Sequence, residues 1–142
     1  MQNKIIAVID TNVLVSTLYS KNGLSNPAIV INAIIDGIII PMFNEEILSE
    51  YEQVLKRDHF NFPPNLVHDL LQLFRDTGIN AERITVDDEY FPDPGDRVFY
   101  EVRMNVQDSY LVTGNSKHFP QKHFIVSPKQ MVDILREKNL IQ

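Results

Sequence analysis

The sequence predicts an α/β fold in which a parallel sheet is covered by helices on both faces. Two observations carry that expectation. Short, β-branched apolar runs alternate along the chain with segments of helical period, and the connections between them are short, as in repeated strand–helix units. The first run, Lys4-Ile5-Ile6-Ala7-Val8-Ile9, offers no alternating polar face beyond its lysine, which suits a strand buried on both sides. It stops abruptly at Asp10-Thr11-Asn12.

After this strand, Val13 to Leu18 opens a helix, and Asn22-Gly23 marks a loop. A second helix runs from about Asn26 to Ile35, with Pro27 in its first turn and Asp36-Gly37 as its stop. Ile38-Ile39-Ile40-Pro41-Met42 reads as the second strand, and Asn44 as the cap of a helix reaching about Arg57. Pro63-Pro64 starts a helix whose apolar stripe is Leu66, Val67, Leu70, Leu71 and Phe74, closed by Thr77-Gly78. Ile84 to Val86 is expected to be a short strand. The Asp93-Pro94-Gly95-Asp96 turn leads into a helix through Val102, and Ser109 to Thr113 is a buried strand. Phe124-Ile125-Val126 is the last strand, followed by a helix begun at Ser127-Pro128.

Length and composition bound the class. The 142 residues fit one domain, 1–142, long enough to bury roughly 68–70% of the unfolded surface. With 44% hydrophobic and 23% charged residues the chain reads as an ordinary globular protein, which excludes a disordered or fibrous one. No apolar run approaches the roughly 20 residues that span a bilayer, and no signal-like N-terminus is present, so a cytoplasmic location and no membrane partner are expected. The absence of cysteine leaves only oxygen and imidazole ligands for a metal. The net charge of −6 disfavours non-specific nucleic-acid binding, unless concentrated carboxylates are offset by a cation. Lys21, Lys56, Arg57, Arg97, Arg103, Lys117 and Lys122 would then be left to meet phosphates.

Acids placed at strand ends and helix faces carry the functional signal, since strand ends in an open α/β sheet gather into one crevice. A carboxylate directly after a doubly buried strand, as Asp10 is, is costly unless paired or used. On the helix after Asn44, the stripe Ile47, Leu48, Tyr51, Val54 and Leu55 has Glu50 at its edge, with Glu46 one turn earlier on the same flank as its competitor. Glu45 and Glu46 also have a sufficient structural role in the first turn, where acids complement the helix dipole. Asp96 stands where an N-cap is expected, and a cap at the mouth of the sheet can face the same crevice. Asp93 can bind metal or cap the turn. Asp108 precedes a strand, at the wrong edge of a parallel sheet, and a surface role is expected for it. At the right edge, Thr113-Gly114-Asn115 ends a strand; Asn115 either supplies an amide oxygen where a fourth carboxylate would stand or bonds its own turn. His59, His68, His118 and His123 lack metal-type spacing. His68 belongs on a solvated helix side, and His118 anchors its loop or meets a phosphate.

Taken together, Asp10-Thr11-Asn12-Val13-Leu14, the helix with Glu50-Tyr51 and Val54-Leu55, the Asp93-Pro94-Gly95-Asp96 turn and the Tyr110-Leu111-Val112-Thr113-Gly114-Asn115 strand end resemble a PIN domain. More narrowly they resemble the bacterial PIN-family toxin components of toxin–antitoxin systems (VapC-like ribonucleases), to which Lys117-His118-Phe119-Pro120 is also similar. The resemblance spans nearly the whole chain. It implies a three-layer Rossmann-like domain with a parallel sheet of about five strands, and a Mg²⁺- or Mn²⁺-dependent ribonuclease acting on single-stranded RNA. By position it implies Asp10 and Asp96 as metal ligands, Glu50 as a ligand directly or through water, and Asn115 as the counterpart of a usual aspartate. Thr11, Asn12 and Thr113 would orient a ligand water or phosphate. An antitoxin protein and a homodimer are the implied protein partners.

The donor chemistry agrees independently, because hard carboxylate oxygens holding Mg²⁺ suit phosphodiester hydrolysis without a histidine or cysteine nucleophile. Two other classes compete. A phosphatase on a similar sheet also uses an acid after the first strand, but Asp10-Thr11-Asn12 lacks a second carboxylate two residues on. A non-catalytic PIN-fold module that binds RNA or protein is the other.

Overall fold

A computed structural model describes residues 4–20 and 22–142. Lys21 lies outside the described residues. Five strands form one parallel sheet: β1 (Ile5–Ile9), β2 (Ile39–Phe43), β3 (Ile79–Asn80), β4 (Ser109–Val112) and β5 (Ile125–Val126), in the order β3-β2-β1-β4-β5. Six helices accompany it: α1 (Thr11–Ser20), α2 (Asn26–Ile35), α3 (Glu45–Leu55), α4 (Pro64–Thr77), α5 (Arg97–Arg103) and α6 (Pro128–Glu137). The group α1, α2 and α6 packs together on one face and α3, α4 and α5 on the other, giving three α/β/α layers. The interior is filled from every element, with Tyr51, Phe74 and Phe99 fully buried and Tyr51 edge-on to Phe74 at 5.3 Å.

Strand order places the crevice. The chain leaves β1 for β2 and β3 on one side, then crosses back to lay β4 against the other side of β1, with Ile9 opposite Val112. The switch point of this sheet therefore lies between β1 and β4, the place in an open α/β sheet where ligands bind beyond the strand ends. Asp10 N donates to Val112 O at 2.9 Å, so the ladder closes on the residue that enters the crevice.

Local chemistry explains most boundaries. Ser25 caps α2 by accepting from Ala28 N, Asn44 caps α3 by accepting from Ile47 N, and Ser127 forms a reciprocal capping box with Gln130 at the start of α6. Gly37, at φ +75°, takes the left-handed conformation that ends α2.

One strand is misplaced by the sequence pattern. Ile84 to Val86 pairs with no strand; β3 is instead Ile79–Asn80, directly after α4. The cause is the close docking of Gly78, where a Cβ would stand 2.4 Å from Pro41 O and 2.7 Å from Phe74 O. Helix α4 thus ends against β2, and the next two residues pair at once. The later segment turns to the end of α5, with Ile84 N donating to Glu101 O and Val86 N to Glu101 Oε2.

Candidate functional site

Asp10 leaves β1 at the switch point and is only 6% exposed. Its Oδ1 accepts from Thr11 N at 2.8 Å, and its Oδ2 accepts from Thr113 Oγ1 at 2.7 Å and from Asn12 Nδ2 at 3.3 Å. Burial holds this carboxyl above the ordinary aspartate range against the opposing pull of the Thr113 and Thr11 hydrogen bonds. Thr11 also donates through Oγ1 to Glu50 Oε2 at 2.5 Å, which ties the start of α1 to the middle of α3. Burial, opposed by that bond, raises the Glu50 carboxyl as well, and the Asp10 charge adds to the effect. A Cβ on Gly95 would sit 3.9 Å from Glu50 Oε1, so the turn that carries Asp93 and Asp96 closes over Glu50.

Asp96 is the least satisfied member. Its Oδ2 is buried without a hydrogen-bond partner, an arrangement that native interiors seldom tolerate without use. Burial first, then the charges of Asp10 and Asp93, push its carboxyl up to about 6. His118 Nδ1 lies 3.3 Å from the same oxygen. Asn115 Nδ2 lies 3.0 Å from the other ring nitrogen of His118, so the fourth corner is a relay from amide to imidazole to carboxylate. The Asn115 backbone N–H donates to Thr113 Oγ1, and Gly114 N donates to Asn12 Oδ1 at 3.0 Å.

Three expectations need correction in this light. Asp96 stands at the cap position of α5 but makes no side-chain cap bond; the turn is capped by Asp93, whose Oδ1 accepts from Gly95 N at 2.9 Å. The Asn115 side chain does not bond its own turn, because Thr113 supplies that bond and frees the amide for His118. Arg97 and Arg103 are not free for phosphates: Arg103 is buried and donates to Ser109 O and Gln107 O, while Arg97 donates to Val86 O and Glu89 O. Lys56 pairs with Glu52, and Lys122 lies 3.4 Å from Glu89.

The competing acids are occupied elsewhere. Glu45 receives both arms of Arg75, at 3.0 and 3.1 Å, and Glu46 pairs with Arg83. Asp108 is exposed at the opposite edge of the sheet, and His68 is exposed on α4. The part sequence reasoning missed is the double use of Thr11 and Thr113, each joining an acid to a neighbouring element. Their placement directly after strand-end residues was the available signal.

The set fits a hard divalent cation in kind: three carboxylates are concentrated, two of them short of donors, with one orphaned oxygen. Among the described residues no three acid or imidazole groups already converge as a closed ligand cluster. The fit is one of charge and donor type, with Asp96 the acid that lacks a hydrogen bond of good geometry at its buried oxygen.

A family model described as a PIN domain matches residues 6–117, a span that begins in β1 and ends two residues beyond Asn115. The chain belongs to the PIN domain family. PIN domains are generally nucleases and typically use divalent metals, and the five-stranded parallel sheet with its crevice at the β1–β4 switch point is the PIN architecture. No significant match was found among curated proteins or among solved structures. No described helix is long and apolar enough to cross a membrane.

Proposed function

We propose that this protein is a Mg²⁺- or Mn²⁺-dependent endoribonuclease that hydrolyses single-stranded RNA, and that it serves as the toxin component of a toxin–antitoxin system. The observation that supports the chemistry most is the buried Asp96 Oδ2, short of hydrogen bonds and beside Asp10 and Glu50 in a PIN domain. Asp10, Asp96 and Glu50 would hold the ion, Glu50 directly or through water. A divalent ion bound there would activate the attacking water and offset phosphate charge. The residues of the chain do the rest: Thr11, Asn12 and Thr113 fix the Asp10 carboxylate from three directions, and His118 stands where a phosphate or its water would pass. Three carboxylates and an amide favour one weakly bound ion on the free protein, with a second arriving with RNA. An antitoxin segment would have to cover the acidic crevice, and a homodimer is the expected assembly.

Cleavage of single-stranded RNA that needs Mg²⁺ or Mn²⁺, stops in EDTA and disappears in Asp10→Asn is the expected result. Activity that persists in Asp10→Asn would refute the assignment, and release of phosphate from a small phosphomonoester would favour a phosphatase. Calorimetry with Mn²⁺ should give one weak site; two tight sites on the RNA-free protein would contradict the one-ion reading. A second reading, a binding module that no longer cuts, is favoured by Asn115 alone. It predicts RNA or partner binding with no turnover at any metal concentration.

A further inference from the structure

At the far ends of the two helices that carry Thr11 and Glu50, four rings cluster at the surface. Tyr19, in the last turn of α1, stands edge-on to Phe60 at 5.8 Å and to Phe62 at 6.0 Å. Phe60 and Phe62 stack on each other at 5.1 Å with their planes only 8° apart, and His59 leans on Phe60 at 4.3 Å. Asn61, between the two phenylalanines, adopts a positive φ of 53°, a conformation asparagine tolerates better than most residues. These rings are not core: Tyr19 is 61% exposed, His59 is exposed, and Phe60 and Phe62 are half-buried.

Their charged neighbours are Arg57, Asp58 and Lys56, the last paired with Glu52. A cleft of about 350 Å³ opens beside Phe62, lined by Lys56, Arg57 and Asn61 among others, within the size range of small-ligand pockets. Arg57 makes no side-chain hydrogen bond or ion pair among the described residues, yet its charge reaches Glu50. Helix α1 links the cluster to the acid crevice: Tyr19 follows Thr11 by eight residues, about 12 Å along the axis. The exposed Tyr19 and His59 rings, beside an unpaired guanidinium and an amide, match the chemistry of a nucleotide: a π-face, an anionic phosphate and a base edge. An apolar protein segment would leave that guanidinium unmatched. With an overall charge of −6 such a device helps an RNA binder, because stacking supplies affinity that does not depend on net charge.

We propose that Tyr19, His59, Phe60 and Phe62, with Arg57, form a stacking platform that grips single-stranded RNA beside the acid crevice. The inference rests on the ribonuclease reading above and adds the route by which substrate is held. The test is fluorescence anisotropy of a labelled short single-stranded oligoribonucleotide against the full chain in EDTA, where nothing is cut. Tyr19→Ala with His59→Ala, both at exposed positions, should weaken binding about 5- to 100-fold while leaving the salt dependence and the melting temperature unchanged. Tyr19→Phe should bind as the wild type does. Arg57→Ala should lower the salt slope by about 0.7, one phosphate contact to a single strand. Wild-type affinity in the double alanine variant would overturn the platform while leaving the nuclease reading intact, as would loss of a protein partner with RNA binding unchanged. Failure of the wild-type chain to bind the oligoribonucleotide in EDTA would overturn the platform, while the nuclease reading is judged separately by metal-dependent cleavage.

Discussion

Helix α5 has a buried carboxylate near each end, and their surroundings differ in one respect: the supply of donors. Glu101 is 3% exposed, and burial works to raise its pKa. Val86 N at 3.0 Å and Arg83 Nε at 2.7 Å outweigh that effect, with Arg97 adding its charge from 3.8 Å, so the carboxyl ends below its ordinary range. One Asp96 oxygen is likewise buried, but it faces the charges of Asp10, Asp93 and Glu50, which His118 at 3.3 Å offsets only in part. Burial alone therefore does not mark a functional acid in this fold. A shortage of donors does, because a buried anion with few hydrogen bonds is stabilised by taking up a proton or a cation. Arg103 makes the same point with the opposite sign: it is buried, lies 3.6 Å over the Phe124 ring, and spends its donors on Ser109 and Gln107 carbonyls.

Four outcomes would sharpen or break this contrast. Asp10→Asn should have the largest effect, lowering ribonuclease turnover on the order of 10²- to 10³-fold, since several kcal/mol of metal-derived stabilisation is lost. Its melting temperature should hold or rise, as one of several crowded like charges is removed. Glu101→Gln should do the reverse, lowering stability by about 2 kcal/mol in denaturant titration while turnover below the melting range is kept; the partial exposure of Arg83 reduces the figure from that of a fully buried pair. Asn115→Asp should tighten Mn²⁺ binding by about tenfold in calorimetry, a gain of roughly 1.4 kcal/mol from one added charge; unchanged affinity would place Asn115 outside the metal's reach.

The smallest effect is on pH. The folded-state value of Asp96 is about 6 against 3.8 when unconstrained, so the folded chain binds the extra proton between these values. Stability of the metal-free protein should therefore be greatest below about 4 from this group and be lost as pH rises through about 6. Asp10 and Glu50 act in the same direction, whereas Glu101 contributes stability that is lost only when pH falls through its lowered value. Thermal melting in EDTA should show a gain between pH 7 and 5 that Asp96→Asn flattens and saturating Mn²⁺ reverses. A pH-independent melt would sink the account of Asp96.

Periodicity was enough to find the six helices and four of the five strands among the described residues, and several are bounded by a local signal: Asn44, Ser127, Pro27 or Gly37. Residue composition misplaced the remaining strand, since pairing at Ile79–Asn80 depends on the close fit of Gly78 against Pro41, a tertiary contact with no local pattern. The same division runs through the site. Positions of Asp10, Glu50, Asp96 and Asn115 in one crevice follow from strand ends and helix faces. The partners of these groups do not: Asp93 takes the cap because of the turn's geometry, and Asn115 turns to His118 because Thr113 satisfies its backbone. Side-chain pairings across 39 and 103 residues, Thr11 to Glu50 and Thr113 to Asp10, are set only once the sheet has closed.

Beside this crevice, the buried hydroxyl of Tyr51 donates to the carbonyl of Ile9. Tyr51 is the covalent neighbour of Glu50, and Ile9 of Asp10, so one hydrogen bond couples the backbones behind both acids. Together with the Thr11 bond in front, it makes β1 and α3 a single rigid jaw. Asp96 rides on a short turn held by Asp93 and Gly95. Any widening of the mouth to admit a strand, or narrowing onto an ion, must therefore come from the movement of that turn against a fixed opposite wall.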